Sequence, residues 1–369
     1  MTFGSGAIGR FEEQVVFVKD GAPDEDALVE ITEVSEKFLR AKIVEVQKPS
    51  LSRVTPPCKV QAQCGGCSWQ HLDYQTQLQQ KNLIVREMLQ RGLAPEILEK
   101  TEFKNPIGSP EEMRYRHRIR LKNQNGKWGY FGHQSHVFVP IDDCLIAHPK
   151  LVETFRATSA PLLKAKEEPL EFEFALQSDG SVQKYKLPSK NAVFMQANQE
   201  LNKILTAEVK KIVESKNPKV LYDLYCGDGN FTYPIWQAVK GLVCYGVEGN
   251  PASIKKAQAE QLNKNISSKK IHFLNMDVQE FCLRTDFAEN AVVILDPPRV
   301  GCSEKIMKAL ADAGIQHLAY VSCNPSTLVR DLKWLAKYSE RKLQVKSVQL
   351  FDMFPQTEHI ETLVELELI

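Results

Sequence analysis

The sequence predicts an α/β protein: a parallel sheet covered on both faces, preceded by a small β unit and a mixed α+β segment. Three observations carry this. From about residue 191, apolar runs of strand length (KVLYDLYCG, GLVCYGVEG, KIHFLNMDV, AVVILDPP, HLAYVSC) alternate with helical stretches, the pattern of βαβ units. The first 48 residues hold short alternating segments broken by Gly, Pro and Asp, as in a small β-barrel. The chain has 369 residues, 43% apolar and 25% charged, an ordinary globular composition long enough for two or three domains.

Composition also excludes several classes. No stretch approaches the ~18 apolar residues of a membrane span, and no internal period of about 20–50 residues is present. The start, MTFGSGAIGRFEEQ, has no apolar h-region, so a cytoplasmic protein with no membrane partner is expected. No obligate protein partner is evident.

Taken in order, QVVFVKD, ALVEITEV and FLRAKIVEVQ are the strands of the N-terminal unit, residues 1–50. KPSLSRVTPP, with its three prolines, reads as a linker. A central unit, residues 51–190, opens with clustered cysteines. A helix follows from Tyr74 to about Arg91, with Leu78, Leu83, Val85, Met88 and Leu89 as its apolar positions, and then the strand-like RYRHRIRLK, WGYFGH, HVFVPI and LEFEFALQ. Residues 191–369 form the alternating unit, closed by two further strands, VKSVQLFDMFP and HIETLVELEL.

The net charge of +1 conceals a local bias. Residues 1–50 carry 6 basic and 10 acidic groups, residues 51–150 carry 14 and 9. A positive segment of this kind is a possible polyanion footprint. Within it Arg114, Arg116, Arg118, Arg120 and Lys122 occupy alternate positions. On a strand they share one face, a row suited to RNA phosphates; a solvated strand face is the bland alternative.

KVLYDLYCGDGNF is a buried strand ending in Asp223, a glycine loop and a helix start, and ligands of such folds sit beyond the carboxyl ends of the strands. With two glycines the dinucleotide fingerprint is not met. Glu248 ends the next strand, nineteen residues after Gly229, placed to accept ribose hydroxyls. Asp277 ends the third, placed to meet an adenine edge. Ribose and adenine without phosphate describe S-adenosylmethionine; a sheet with ordinary strand-end carboxylates is the alternative. Asp296-Pro297-Pro298-Arg299 offers amine methylation as a second chemistry, but Arg299 stands where that chemistry wants an aromatic ring.

VSCNPSTLVRDL ends the fifth strand in Cys323 at the start of a helix, where the helix dipole favours a thiolate. Cys226 and Cys302 are rivals on position, whereas Cys244 and Cys282 read as buried and inert. Asp352, Glu358, His359 and Glu361 all lie in the closing segment, and position alone does not select a general base among them.

FMQAN (194–198), DLYCGDGNF (223–231), VEGN (247–250), DPPR (296–299), SCNP (322–325) and DMFPQTEHIE (352–361) occur in order. Together they resemble the RNA 5-methyluridine methyltransferases, over nearly the whole chain. The resemblance implies a class I, Rossmann-like methyltransferase domain that uses S-adenosylmethionine. It implies Cys323 as nucleophile and Glu361 as the base that removes a proton. It implies Gln196, Tyr225, Asn230, Glu248, Asp277 and Asp296 as cofactor contacts.

That chemistry needs these residue types. Uracil C5 is a poor nucleophile; thiolate addition at C6 gives C5 carbanion character, C5 takes the methyl group, and a base then removes the C5 proton so that the thiolate leaves. The target base must leave its stack to reach the thiol.

Cys58-x5-Cys64-x2-Cys67, with Cys144 far downstream, is a thiol set for structural zinc or an iron–sulfur cluster, and spacing alone does not separate the two. The resemblance, which is greatest to the enzymes acting on 23S ribosomal RNA, implies a [4Fe-4S] cluster. Residues 1–48 resemble the TRAM module. RNA is the expected partner, ribosomal ahead of transfer RNA; a non-catalytic RNA-binding module is the reading from a different class.

Overall fold

The structure is a computed structural model, and it describes residues 1–4, 6–133, 135–159, 170–189 and 195–369. Phe194, the first residue of the FMQAN motif, and the expected limit at 190/191 lie outside the described residues.

Four strands come first: β1 (Ala7–Phe11), β2 (Gln14–Lys19), β3 (Asp26–Val34) and β4 (Phe38–Lys48). They form one sheet in the order β1-β2-β4-β3, around a small core of Val16, Leu39 and Ala41. β1 is the strand that the sequence pattern did not show, because only one of its five residues is even half-buried.

The helix expected from Tyr74 is α1 (Tyr74–Gly92), capped by Asp73, whose carboxylate accepts from Thr76 N at 2.9 Å. It is followed by α2 (Pro95–Leu98) and β5 (Glu102–Phe103). Next come β6 (Arg118–Gln124), β7 (Lys127–Phe131), β8 (Phe138–Pro140), α3 (Pro149–Ala157), β9 (Leu170–Leu176) and β10 (Val182–Lys186). Their sheet runs β10-β9-β6-β7-β8, and its core includes Ile119, Leu121, Trp128, Phe155 and Phe174.

The rest is α4 (Gln199–Lys216), β11 (Val220–Leu224), α5 (Thr232–Ala238), β12 (Val243–Glu248), α6 (Pro251–Asn263), β13 (Ile271–Asn275), α7 (Val278–Arg284), β14 (Ala291–Leu295), α8 (Glu304–Asp312), β15 (His317–Ser322), α9 (Pro325–Tyr338), β16 (Leu343–Phe351) and β17 (Glu361–Leu368). The sheet order is β13-β12-β11-β14-β15-β17-β16-β5. β11 to β15 are parallel to one another, and β17 runs antiparallel between β15 and β16. The predicted class, a doubly covered α/β methyltransferase-type sheet behind a small β unit, is the observed one.

Every residue of β14 is buried. Val293 and Leu295 join the core on one face, Val292 and Ile294 the other, so strand alternation feeds two cores at once. On the first face α9 inserts Leu328, Leu332 and Leu335, each 0% exposed and each worth about 2 kcal/mol of apolar burial. α1 packs in that same core, through Leu78, Ile84, Val85 and Leu89, and β5 pairs with β16. Residues 74–103 thus join the large sheet physically, although they precede the central sheet in sequence. Leu83, expected on the apolar face of α1, is 47% exposed, whereas Gln77 and Lys81 are fully buried.

Candidate functional site

β11, β12 and β13 step outward in one direction, and the chain then returns to place β14 on the other side of β11. A crevice opens at such a reversal, beyond the strand ends. The loop after β11 enters it. Tyr225 takes φ +67, unusual for a residue with a side chain, and is fixed by its N–H donating to Val247 O at 2.9 Å. Gly229 has φ +92, and a Cβ there would lie 2.7 Å from the Tyr233 ring. The loop must therefore be glycine at that point to pack on α5.

Expected cofactor contacts from three strand ends gather here. Glu248 accepts from Gly227 N at 3.3 Å and from Asn250 N at 2.7 Å. Asp296 follows β14 directly, its N–H bonding to Leu224 O. Behind them Asp223 is fully buried and accepts from the Thr232 hydroxyl at 2.5 Å. Burial first, then the neighbouring carboxylates, pushes Asp296 up to about 7. Burial pushes Asp223 up to about 6, against the pull of its Thr232 hydrogen bonds. An acidic crevice of this kind disfavours a phosphate.

Asn230 exchanges two hydrogen bonds with Asn202 of α4, at 2.8 and 3.1 Å. Gln196 is half-buried on the approach to α4. Asp277 differs from expectation. β13 ends at Asn275, and Asp277 is the N-cap of α7, accepting from Glu280 N at 3.0 Å. One of its oxygens is thus committed to the helix end.

Cys323 follows β15, and Asn324 caps α9 by accepting from Ser326 N at 3.0 Å. Ser322 pairs with Thr362 across β15 and β17, which sets Cys323 beside Glu361, the first residue of β17. Asp352, Glu358 and His359 precede it in the turn. Of the four candidate bases, Glu361 is the one whose charge acts directly on the Cys323 thiol.

The expected thiolate is not what this site favours. Burial, then Glu361 and Asp296, pushes the Cys323 thiol up to about 12, with Arg299 as the opposing charge. The helix-dipole argument missed these groups because they arrive from β14 and β17. Burial likewise pushes Glu361 well above the usual carboxylate range, with Asp296 adding to it. Cys226 and Cys302, the positional rivals, are 3% and 2% exposed and pushed up by burial, whereas Cys323 is half-buried. Cys244 and Cys282 are buried, as read from the sequence.

Cys58, Cys64, Cys67 and Cys144 line one cavity of about 40 Å3, together with Gln70, Arg116 and Tyr130. Gly65 lets the loop reach β7: its N–H bonds to Phe131 O at 3.0 Å, where a Cβ would come within 2.9 Å of that oxygen. Tyr130 donates to Cys144 Sγ at 3.7 Å. Among the described residues no group of three His, Cys, Asp or Glu is arranged to hold a single metal ion. Four thiols lining one cavity are the donor type that an iron–sulfur cluster would need.

The basic row requires correction. The strand includes only Arg118, Arg120 and Lys122; Arg114 has φ +59 and forms a bidentate pair with Asp143 at 2.8 Å. Arg120 pairs with Glu173 at 2.9 Å and Lys122 with Glu171 at 3.0 Å, while Glu173 lies 3.8 Å from Arg118. Arg116 donates to Arg118 O. The row fails as one face because its start is not a strand, and carboxylates of β9 balance the remainder.

Sequence reasoning also missed the residues that hold the turn before Glu361, chiefly Gln77 and Lys81. The available signal was two polar side chains one helical turn apart within a buried stripe.

Among the described residues no helix is long and apolar enough to cross a membrane. The profile of the family described as tRNA (Uracil-5-)-methyltransferase matches residues 172–369, and that of the TRAM domain matches residues 4–44. An "uncharacterized RNA methyltransferase" of Bdellovibrio bacteriovorus is 35% identical over 99% of this chain and 93% of its own length. A 23S rRNA (uracil(1939)-C(5))-methyltransferase of Vibrio campbellii is 28% identical over 98% of this chain and 92% of its own. The crystal structure of a Pyrococcus abyssi tRNA (uracil-54, C5)-methyltransferase with S-adenosyl-L-homocysteine shares the fold, with TM-score 0.71 and 22% identity, over 95% of this chain and 94% of that one. The chain belongs to the tRNA (uracil-5-)-methyltransferase family: it is an RNA (uracil-5-)-methyltransferase that uses S-adenosylmethionine.

Proposed function

We propose that this enzyme methylates C5 of a uridine in 23S ribosomal RNA by covalent catalysis, with Cys323 as nucleophile and Glu361 as base. The observation that carries the reading is the adjacency of Cys323 and Glu361 at one sheet edge, facing the Asp296 end of the cofactor crevice. The similarity to the Vibrio campbellii enzyme supports ribosomal RNA, and the shared fold of the Pyrococcus abyssi enzyme keeps transfer RNA as the competing substrate.

S-adenosylmethionine, when bound, supplies an electrophilic methyl group on a cationic sulfur. Glu248 accepts the ribose hydroxyls in this reading, and Gln196, Tyr225, Asn230, Asp277 and Asp296 surround the rest. Cys323 adds to uracil C6, and the C5–C6 π pair moves onto C5 and its carbonyl. C5 takes the methyl group as the methyl–sulfur bond breaks, its electron pair staying on sulfur so that S-adenosyl-L-homocysteine is the leaving group. Glu361 removes the C5 proton, the pair returns to C5–C6, and the Cys323–C6 bond breaks. Arg299 is the charge that favours the thiolate. A carboxyl pushed up by burial is a stronger base once ionised, which suits removal of a carbon-bound proton.

Cys58, Cys64, Cys67 and Cys144 hold a [4Fe-4S] cluster in this reading, as an architectural element, since the chemistry transfers no electrons. The basic segment from Arg114 to Lys122 contributes to the RNA surface with much of its charge already balanced.

The test is nucleoside analysis after incubation with labelled S-adenosylmethionine and unmodified 23S and transfer RNA. 5-Methyluridine in ribosomal RNA alone is expected. 5-Methyluridine in transfer RNA alone overturns the substrate, and a methylated amine overturns the chemistry.

A further inference from the structure

Glu361 is the first residue beyond the turn that joins β16 to β17, closed by the Phe351–Glu361 pair. That turn is held largely from outside. Lys81 Nζ donates to Asp352 Oδ1 at 2.6 Å and to Phe354 O at 3.1 Å. Gln77 Oε1 accepts from Gln356 N at 2.9 Å, and its Nε2 lies 3.0 Å from Gln356 Oε1. The same amide donates to Trp69 O at 3.1 Å and to Leu72 O at 2.9 Å.

Residues directly after the third clustered cysteine complete the grip. Trp69 N donates to Gln356 O at 3.0 Å, and Ser68 Oγ accepts from Glu358 N at 3.0 Å. Gln77 and Lys81 are both 0% exposed, so neither can reach RNA or cofactor directly. Gln356 is held at φ +69, a conformation a free turn would leave.

We propose that Gln77 and Lys81 are positioning residues for Glu361, and that Ser68 and Trp69 extend the same clamp to the four-cysteine loop. The inference rests on the assignment of Glu361 as base. Beyond the β15–β17 ladder that it shares with Glu361, Cys323 is held from outside the turn, through the Asn324 cap and the bond of that side chain to Arg299 O at 3.1 Å. Loosening the turn therefore moves the base and leaves the nucleophile in place. Addition and methyl transfer continue, proton removal slows, and the methylated RNA stays bonded to Cys323. A merely structural lesion slows all three steps together.

The experiment uses Gln77→Met, Ser68→Ala and wild type, with S-adenosylmethionine and whichever unmodified transcript, 23S or transfer RNA, wild type methylates. Denaturing gels read the protein–RNA adduct. Gln77→Met is expected to accumulate at least about tenfold more adduct than wild type, with adduct formation on the 5-fluorouridine transcript within about threefold. Equal slowing of both, or a wild-type adduct level, overturns the proposal. If Gln77→Met does not fold, Ser68→Ala decides: an increase of at least about threefold supports the clamp, and a wild-type level contradicts it. If wild type forms no adduct with 5-fluorouridine RNA, the covalent reading fails first and this inference falls with it.

Discussion

Ser322 pairs with Thr362, and that register carries Cys323 and Glu361 off the same edge of the sheet as neighbours. β15 is parallel to β14 and β17 antiparallel to β15, so a carboxyl end and an amino end meet at one place. Strand direction thus brings together the two residues proposed above as nucleophile and base.

The pair predicts two distinct lesions. Cys323→Ala should abolish methyl transfer and the 5-fluorouridine adduct. Glu361→Gln should lower turnover by about 10²–10⁴-fold while the covalent RNA complex builds up. Rapid-quench kinetics with denaturing gels separates the two, and equal loss of adduct in both variants would contradict the assignment of steps.

The pH dependence follows from the shifts. Cys323 stands at about 12, so its thiolate fraction grows about tenfold per pH unit throughout the neutral range. Glu361 is also raised and acts as base only when ionised, so its limb too rises with pH. Single-turnover methylation should climb monotonically from about pH 6 to 9, with a slope near one in log rate against pH. An optimum near pH 7 with a falling alkaline limb would contradict this ordering.

The acids of the crevice make the ligand-free protein less stable as pH rises. Asp223 and Asp296 stand above their unfolded values, at about 6 and 7. Their stabilising contribution is present in full below about pH 4 and is lost as pH rises through 6 to 7. Asp296→Asn should therefore raise the ligand-free melting temperature by about 2 °C or more at pH 8, with a clearly smaller gain at pH 5 and none below about pH 4, and should weaken S-adenosylmethionine binding. Scanning calorimetry at both pH values, with titration of the cofactor, checks this.

Lys81 and Asp352 form an ion pair in which both side chains are 0% exposed. Removing one partner leaves a buried charge, so Lys81→Met should cost about 3–5 kcal/mol in urea unfolding. Adding Asp352→Leu should recover about half of that. If the double variant is no more stable than the single one, the loss arises from packing and not from the unpaired carboxylate.

What the sequence made legible were local patterns: apolar strand runs, the glycine loop at Gly227 and Gly229, and motifs that end strands at Glu248, Asp296 and Cys323. What stayed hidden depended on distant partners. Arg120 and Lys122 read as a phosphate row because Glu173 and Glu171, which balance them, lie some fifty residues away on β9. Gln77 and Lys81 carried no assignment because the turn they grip is more than 270 residues downstream. The helix beside Cys323 is legible because it is local, while the carboxylates that oppose ionisation of the thiol arrive from β14 and β17.

The most direct test of the covalent account is peptide mapping of the adduct formed with 5-fluorouridine-substituted RNA and S-adenosylmethionine. Fluorine at C5 cannot leave as a proton, so the account predicts a stable complex with the RNA bonded to Cys323 and the methyl group on its base. Attachment at another cysteine, or no adduct from protein that binds the cofactor, would contradict it.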